Sequence, residues 1–342
     1  MDILVVAILG ALIPTLVYVL FVWWLDRYEK EPLRLLALSF SWGAVPAAFI
    51  SALLELILDL PIYALGGEWF LSNLVSYSFS APIIEESAKA IALISLLWFF
   101  RREFDDVLDG IIYGAMIGLG FAFSENLFAY FLPILSQEGW GAGLINILLR
   151  AVIFGLNHAL WTGTIGATLG YARLAHAREQ RMIVPVAGWA LAILLHGAHN
   201  AGATLAEYTS GLSLGFSLVV DWSGVFVLLA VAYLALRRES RWIERGLVEE
   251  VRQGDLTVQE FQLLRSVGKR LQTQWQARKR GGRSAYRAVG RYYQCATELA
   301  FKKQHLRSLG DEGGNLNEVQ RLREQLASHR ALVWPWLWTS EV

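Results

Sequence analysis

The chain has 342 residues, of which 55% are hydrophobic, and its formal net charge is zero. So apolar a composition excludes an ordinary soluble globular protein, and a single cysteine, Cys295, excludes an internal disulfide. The charge is divided unevenly, because residues 1–236 carry 10 Lys and Arg against 18 Asp and Glu, whereas residues 237–342 carry 20 against 12. We expect two domains, an apolar membrane-spanning body over 1–236 and a basic tail over 237–342.

Seven long apolar runs follow one another along the body. Each is long enough to cross roughly 30 Å of hydrocarbon as an α-helix, the conformation that satisfies the backbone of such a run in lipid. The first run has no basic segment before it, which favours a retained span over a signal peptide. The runs are 3–25, 35–60, 78–100, 110–132, 144–172, 183–205 and 212–236. We therefore predict an all-α fold, a polytopic membrane helix bundle of about seven spans with a helical C-terminal tail.

The basic residues between the runs indicate the orientation. Lys or Arg follows the first, third, fifth and seventh runs, whereas the segments after the second, fourth and sixth contain neither. The positive-inside rule assigns the basic face to the cytoplasm. The sequence thus predicts a multi-pass protein of the cell membrane with its N-terminus outside and a cytoplasmic tail.

Glycines recur at helical spacing in the fourth and fifth runs. Gly114 and Gly118 are four residues apart, as are Gly166 and Gly170. Such spacing places both members of a pair on one helix face and lets a neighbouring backbone approach closely. We expect these helices to pack tightly.

Rare ionisable side chains inside four of the runs fall at one depth. Glu85, Glu125, His158 and His196 each lie 15 or 16 residues from the charged end of their helix. At ~1.5 Å per residue this is roughly 22–24 Å above the basic boundary, in the outer part of the bilayer. Because a charge at a helix centre costs at least about 2.5–3.5 kcal/mol on insertion scales, we expect a shared polar cavity.

Helical spacing brings further polar groups to the same faces. Lys89 follows Glu85 by four residues and Glu86 by three, so a structural ion pair could neutralise one glutamate. The stretch HGAHN adds His199 and Asn200 on the side of its first histidine.

Two other charged residues lie within the runs. Asp221 lies at the same computed depth and either faces the cavity or makes a helix-end hydrogen bond. Arg150 is expected nearer the outer boundary, with its guanidinium extended toward water.

The inventory favours water activation over a covalent nucleophile, because the runs hold no cysteine and no Ser–His–Asp pattern. A buried glutamate can act as a general base toward water. In this hypothesis Glu85 takes the proton while Glu86 pairs with Lys89 and orients it. His196 and Asn200 would donate hydrogen bonds to the developing oxyanion.

A zinc site is the alternative cofactor hypothesis. Carboxylates and imidazoles from separate helices, here Glu85, His158 and His196, can bind Zn²⁺ and activate a bound water. No HExxH motif supports this arrangement. Metal-independent and zinc-assisted hydrolysis both remain open from the residues alone.

Several short motifs together resemble one family. EESAK (85–89) fits EExxK, FAFSEN (121–126) fits FxxxEN, and HGAHN (196–200) fits HxxxN. With HALWT in the fifth run and DRYEKEP after the first, the chain resembles the PrsW family of bacterial intramembrane proteases, which is related to the CAAX prenyl protease group. The resemblance covers about residues 20–240, and YYQCATELAFKKQH in the tail is also similar.

The resemblance implies cleavage of a membrane-anchored protein, associated with first-site processing of an anti-sigma factor on its extracytoplasmic side. It matches Glu85 and Glu86 to the paired glutamates and Glu125, followed by Asn126, to the FxxxEN acid. His158 and His196 match the later histidines. The related prenyl protease group has a histidine where this chain has Glu125.

Two further function classes stay open. Glutamate and histidine relays also serve proton- or solute-coupled transporters, although no repeat with broken helices in matching halves is evident. A non-catalytic membrane scaffold would retain the fold and would tolerate changes in the polar cluster.

The tail is predicted to be helical and soluble. TVQE (257–260) fits a capping box, and RKRGGR (278–283) is a basic, glycine-containing break. Contact with anionic lipid and a solvated hairpin packed on itself explain the charge equally well. No recognised motif accompanies that charge, so a nucleic-acid partner is not expected.

Overall fold

The structure is a computed structural model that describes residues 2–65, 69–311 and 314–337. Within those ranges every helix or strand assigned is a helix, so the predicted all-α bundle is confirmed. The helices are α1 Ile3–Leu25, α2 Leu33–Trp42, α3 Ala48–Leu65, α4 Trp69–Val75, α5 Ala81–Phe99, α6 Val107–Glu125, α7 Leu132–Gln137, α8 Trp140–Ile147, α9 Asn157–Leu174, α10 Arg178–Thr204, α11 Leu212–Gln253, α12 Val258–Leu264, α13 Val267–Leu309 and α14 Asn315–Leu337.

Six helical segments among the described residues are long and apolar enough to cross a membrane. They are Ile3–Leu25, Leu33–Leu58, Val107–Gln137, Trp140–Leu174, Arg178–Thr204 and Leu212–Gln253. These correspond to six of the seven expected runs. The remaining run, 78–100, forms α5, which has 19 residues and carries Glu85, Glu86 and Lys89 in its first half. That α5 also crosses the bilayer stays a prediction.

The chain divides into two compact units. The first consists of Met1–Asp26 and Glu31–Ala232, and the second of Arg27–Lys30 and Tyr233–Val342. Helix α11 begins in the first unit and continues into the second.

Helices α6 and α9 of the first unit approach each other closely along their glycines. A Cβ atom on Gly118 would clash with the backbone carbonyl of His158, and one on Gly114 would clash with that of Thr162. Gly166 faces the backbone of Gly110 in the same way. The expected tight packing is therefore confirmed, and it fixes the height of His158 against α6.

The substitution Gly118→Ala should consequently disturb both stability and the site. The added methyl group must push the His158 carbonyl away, and overpacking of this kind costs typically about 1–3 kcal/mol. We expect a lower unfolding temperature in detergent. Gly141→Ala on α8 is the control, because its Cβ would meet nothing. Equal unfolding temperatures for the two variants would contradict this account of the helix contact.

Four π-helical turns interrupt the helices in the described part of the first unit. They are Gly43–Ala47, Ser76–Ser80, Asn126–Phe131 and Leu148–Ile153. Such turns insert an extra residue, rotate the helix that follows, and often occur at functional sites. Asn126 and Arg150 lie in two of these turns.

The second unit is built from the end of α11 with α12, α13 and α14. The expected capping box is confirmed, with Thr257 as N-cap and Glu260 as its partner. Arg330 pairs with Glu260 at 2.8 Å, and Lys303 pairs with Glu249 at 2.6 Å. The expected break in the basic stretch is at Gly282, where φ is +69° inside α13.

Candidate active site

A cluster of buried polar side chains lies where α5, α6, α9 and α10 meet. Glu86 and Lys89 are fully buried, and Glu85 is 4% exposed. Hydrogen bonds of about 3 Å link these α5 residues to His158 and His196, and His158 in turn to Glu125. The structure thus brings together the residues that depth counting grouped, as members of one hydrogen-bonded cluster.

Lys89 is at the centre of this cluster. Its Nζ donates to Glu85 Oε2 at 3.0 Å, to Glu86 Oε1 at 2.8 Å and to His158 Nδ1 at 3.0 Å. An ammonium has three N–H bonds, and all three are used. The ring of Phe121 lies 3.7 Å from Nζ and adds a cation–π contact. One positive charge is therefore shared between two carboxylates.

The two adjacent glutamates differ in how fully they are engaged. Glu86 also accepts a hydrogen bond from Thr162 Oγ1 and contacts His196 Nδ1, each at 3.1 Å. Glu85 makes its hydrogen bond through Oε2, and among the described residues its Oε1 has no hydrogen-bond partner. Glu86 is thus held on both oxygens, whereas Glu85 keeps one oxygen available.

Glu125 is neutralised by a different cation. Its Oε2 accepts from Arg150 Nη2 at 2.7 Å and contacts His158 Nε2 at 3.0 Å. Arg150 also donates from Nε to Asn126 Oδ1 at 2.9 Å, and its guanidinium lies 3.4 Å from the centre of the Tyr130 ring. Asn126 therefore supports the ion pair between Arg150 and Glu125.

The expectation that Arg150 extends toward the outer boundary is wrong. It lies in the π-helical turn Leu148–Ile153, and the helix is broken at Phe154 before α9 begins. Depth counted along one straight helix misplaces a residue beyond such a break. The side chain pairs with the Glu125 carboxylate, which compensates a buried charge far better than lipid does.

His158 links the two ion pairs in a defined tautomer. The Lys89 ammonium donates to Nδ1, so Nδ1 is an acceptor. The ring proton is then on Nε2, where it donates to Glu125. A neutral imidazole satisfies both contacts, and a continuous chain of hydrogen bonds runs from Glu86 to Arg150.

His196 is oriented by an aromatic stack. Its ring lies 3.8 Å from that of Trp161 with 12° between the planes, and its Nδ1 faces Glu86. Nδ1–H therefore donates to that carboxylate, which leaves Nε2 of the neutral ring as an acceptor. His196 was expected to donate a hydrogen bond to the oxyanion, but its remaining ring nitrogen is an acceptor. The sequence does not reveal which ring nitrogen meets the glutamate. Nε2 lies 4.0 Å from Glu85 Oε2.

A second set of hydrogen-bonded polar side chains lies beside this cluster. His199 Nδ1 is 2.7 Å from Asp221 Oδ2, which also accepts from Asn157 Nδ2 at 3.0 Å. Asp221 thus faces the protein interior and orients His199. Asn157 was not expected, although it directly precedes His158. Asn200 donates to the backbone carbonyl of Tyr77 at 2.8 Å and keeps a second N–H.

Several cavities open at these residues, and two of them reach the glutamates. A cavity of about 20 Å³, room for a single water, is lined by residues that include Glu125, Arg150, His158 and His196. A larger open groove of about 630 Å³ is lined by Glu85, Glu125 and Asn200 and by aromatic and small side chains. The aromatic lining residues are Phe49, Tyr77, Phe121, Phe128 and Tyr130. Three of the four π-helical turns contribute to its walls.

The donor types, but not their arrangement, suit a metal ion. Glu85, Glu86 and His158 each offer a ligand atom within 4.8 Å of the others, and zinc binds such carboxylates and imidazoles. However, the Lys89 ammonium lies within 3.0 Å of all three side chains. A divalent cation there would face an adjacent positive charge, so the residues as arranged fit the ammonium and not a metal. His196, a possible ligand in the zinc hypothesis, presents Nδ1 to Glu86 and keeps Nε2 as an acceptor.

The matches to known proteins all point to one family. The model of a family described as PrsW family intramembrane metalloprotease matches residues 31–236. The Protease PrsW of Bacillus subtilis (strain 168) is 31% identical over 204 residues, which are 58% of this chain and 84% of that protein. The Protease PrsW of Clostridioides difficile (strain 630) is 29% identical over 227 residues, 66% of this chain and 84% of that protein. No solved structure matches the chain.

Proposed function

Because this chain belongs to the PrsW family of intramembrane proteases, we propose that it hydrolyses a peptide bond of a membrane-anchored protein with water activated by Glu85. The observation that carries this assignment is the free Glu85 Oε1 at the edge of a large groove, with Oε2 fixed by a buried lysine. A fixed carboxylate with one available oxygen beside a substrate-sized groove meets the geometric need of a general base.

Glu85 is a stronger candidate base than Glu125. Glu125 has a guanidinium at 2.7 Å for its own neutralisation, whereas Glu85 shares the single charge of Lys89 with Glu86. The Glu125 carboxylate is therefore engaged in an ion pair of its own. Glu125 then serves to orient His158, which in turn orients Lys89.

The reaction follows from these positions. Glu85 Oε1 accepts a proton from water while the water oxygen bonds to the scissile carbonyl carbon. The second N–H of Asn200, which lines the same groove as Glu85, stabilises the oxyanion. When the carbon–nitrogen bond breaks, the proton on Glu85 passes to the departing amine.

The proposed mechanism takes no step through a metal ion, although the family is described as a metalloprotease. We therefore expect the purified protein to retain its cleavage rate after treatment with 1,10-phenanthroline. Elemental analysis of the same sample should show zinc well below one ion per chain. Loss of cleavage with the chelator, restored by added Zn²⁺, would overturn this part of the proposal.

The groove suggests how a substrate reaches Glu85. Phe49 and Phe128 on its walls are 69% and 66% exposed, so it presents apolar surface suited to a spanning segment. With the tail in the cytoplasm, the site falls in the outer part of the bilayer. A membrane-anchored anti-sigma factor, the substrate class that the family resemblance implies, would be cut on its extracytoplasmic side.

Mapping of cleavage products tests the proposal. The purified chain in nanodiscs is incubated with single-span membrane proteins, and new termini are located by mass spectrometry. We expect cuts near the outer end of the substrate span. Absence of cleavage across a broad substrate panel, together with proton-driven solute uptake in proteoliposomes, would replace the protease with a transporter.

A further inference from the structure

The net charge of the tail is confined to one short stretch. Residues 267–297 contain eight Lys and Arg and no Asp or Glu. The flanking parts of the tail, 237–266 and 298–342, each contain six basic and six acidic residues. The entire excess of eight positive charges therefore belongs to residues 267–297, named here the basic hairpin.

The structure folds this stretch back on itself. Gly282 has φ +69° and ψ −158°, a conformation that favours glycine, and it divides α13 into two arms. Gln274 on the first arm donates to the carbonyl of Tyr286 on the second at 3.2 Å. The rings of Trp275 and Tyr286 lie 6.0 Å apart in an edge-to-face arrangement. The charges are thus displayed on a defined helical hairpin.

Nearly all of the hairpin's cations are exposed and have no carboxylate partner. Seven of the eight are exposed, namely Lys269, Arg278, Lys279, Arg280, Arg283, Arg287 and Arg291. Across the described ranges none of the seven forms an ion pair, whereas Arg265, Lys303, Arg321, Arg323 and Arg330 elsewhere in the tail do. A solvated hairpin that only packs on itself does not require such a concentration of uncompensated charge.

Apolar side chains accompany the charge. Leu271 and Trp275 are one helical turn apart, and each is 51% exposed. The Arg278 guanidinium lies 4.9 Å from the Trp275 ring. Tryptophan with arginine is the combination that suits a membrane–water interface, where one end of the indole is apolar and the other is wet.

We propose that the basic hairpin binds the anionic lipid headgroups of the membrane that the chain spans. Each exposed cation near an anionic surface strengthens binding by about fivefold at low salt. The hairpin is tethered to a membrane helix through α11, which keeps its effective concentration at the surface high. This tether favours lipid over a nucleic acid or an acidic protein, which would have to be captured from solution.

A spin label at the turn measures this contact in the full chain. Ser284 is exposed beside Arg283, so Ser284→Cys can carry a nitroxide. The native Cys295 is buried, and burial raises its pKa to about 12, so it offers little reactive thiolate. Collision with a water-soluble nickel complex is then compared in neutral nanodiscs and in nanodiscs with about 30 mol% phosphatidylglycerol. We expect markedly lower accessibility in the anionic discs, restored by high salt.

Two variants with equal loss of charge make the test specific. Lys279→Gln/Arg280→Gln/Arg283→Gln/Arg287→Gln should weaken docking by several hundredfold and restore the accessibility seen in neutral discs. The control Arg241→Gln/Arg245→Gln/Arg252→Gln/Arg307→Gln removes four exposed cations outside the hairpin and should behave like the parent. Equal accessibility of the parent in the two lipids, or equal effects of the two variants, would overturn the proposal.

Discussion

The substitution Glu85→Gln is expected to lower the rate of substrate cleavage by about 10²–10⁴-fold, the usual contribution of a positioned general base. Glutamine has nearly the same shape, and its amide oxygen can still accept the hydrogen bond from Lys89 that is 3.0 Å long in the parent. It cannot take a proton from water. The loss should therefore appear in kcat, with the unfolding temperature and expression level little changed.

Two comparison variants separate this effect from a general loss of charge. Glu138→Gln changes an exposed glutamate between α7 and α8 and should leave cleavage unaltered. Glu125→Gln weakens the contacts with Arg150 and His158 but leaves Glu85 intact, so we expect a smaller loss. If Glu125→Gln abolished cleavage while Glu85→Gln retained it, the base would be Glu125.

The grouping of the site residues was predictable because membrane helices have a regular rise. Counting residues from the charged ends placed Glu85, Glu125, His158 and His196 at one height, and the structure joins them in one hydrogen-bonded cluster. Helical spacing also predicted an ion pair of Lys89 with one of the glutamates, and in the structure Lys89 pairs with both. These inferences rest on local geometry within single helices.

The contacts that the sequence did not predict depend on departures from regular helix geometry. Arg150 reaches Glu125 because a π-helical turn and a break precede α9. Asn157 and Trp161 enter the site through packing between α9, α10 and α11, and an apolar run gives no signal for such packing. The tautomer of His196 depends on which ring nitrogen meets Glu86.

The α5 helix shows a similar limit of prediction from sequence. Its charged first half lowers its apolarity, so composition alone does not establish that it crosses the membrane. Its charges are compensated by groups on α9 and α10. The insertion cost of an isolated helix therefore overstates the cost in the assembled bundle, because each ionised group has partners there.

Lys89→Met is the second substitution with a large expected effect, and it acts first on stability. Methionine fills the space of the lysine stem but removes the charge, which leaves two buried carboxylates and His158 Nδ1 without their shared donor. Removal of one partner from a buried ion pair typically costs about 3–5 kcal/mol. We expect a clearly lower unfolding temperature in detergent and loss of cleavage.

A double variant distinguishes charge repulsion from lost packing. Lys89→Met/Glu86→Gln removes one of the two uncompensated carboxylates, so it should unfold at a higher temperature than Lys89→Met alone. Cleavage should stay low, because Glu85 Oε2 still lacks the donor that fixes it. If the double variant were no more stable than the single one, repulsion between Glu85 and Glu86 would not be the cause.

Lys89→Met also tests whether the ammonium is what keeps a metal ion out of the cluster. Without it, Glu85, Glu86 and His158 present three ligand atoms within 4.8 Å of one another and no adjacent cation. We expect the single variant to bind Zn²⁺ in calorimetry and to gain unfolding temperature from it, whereas the parent should do neither. Zinc binding by the parent at this site would instead mean that Lys89 moves aside readily, and the assignment of water activation to Glu85 without a metal would have to be abandoned.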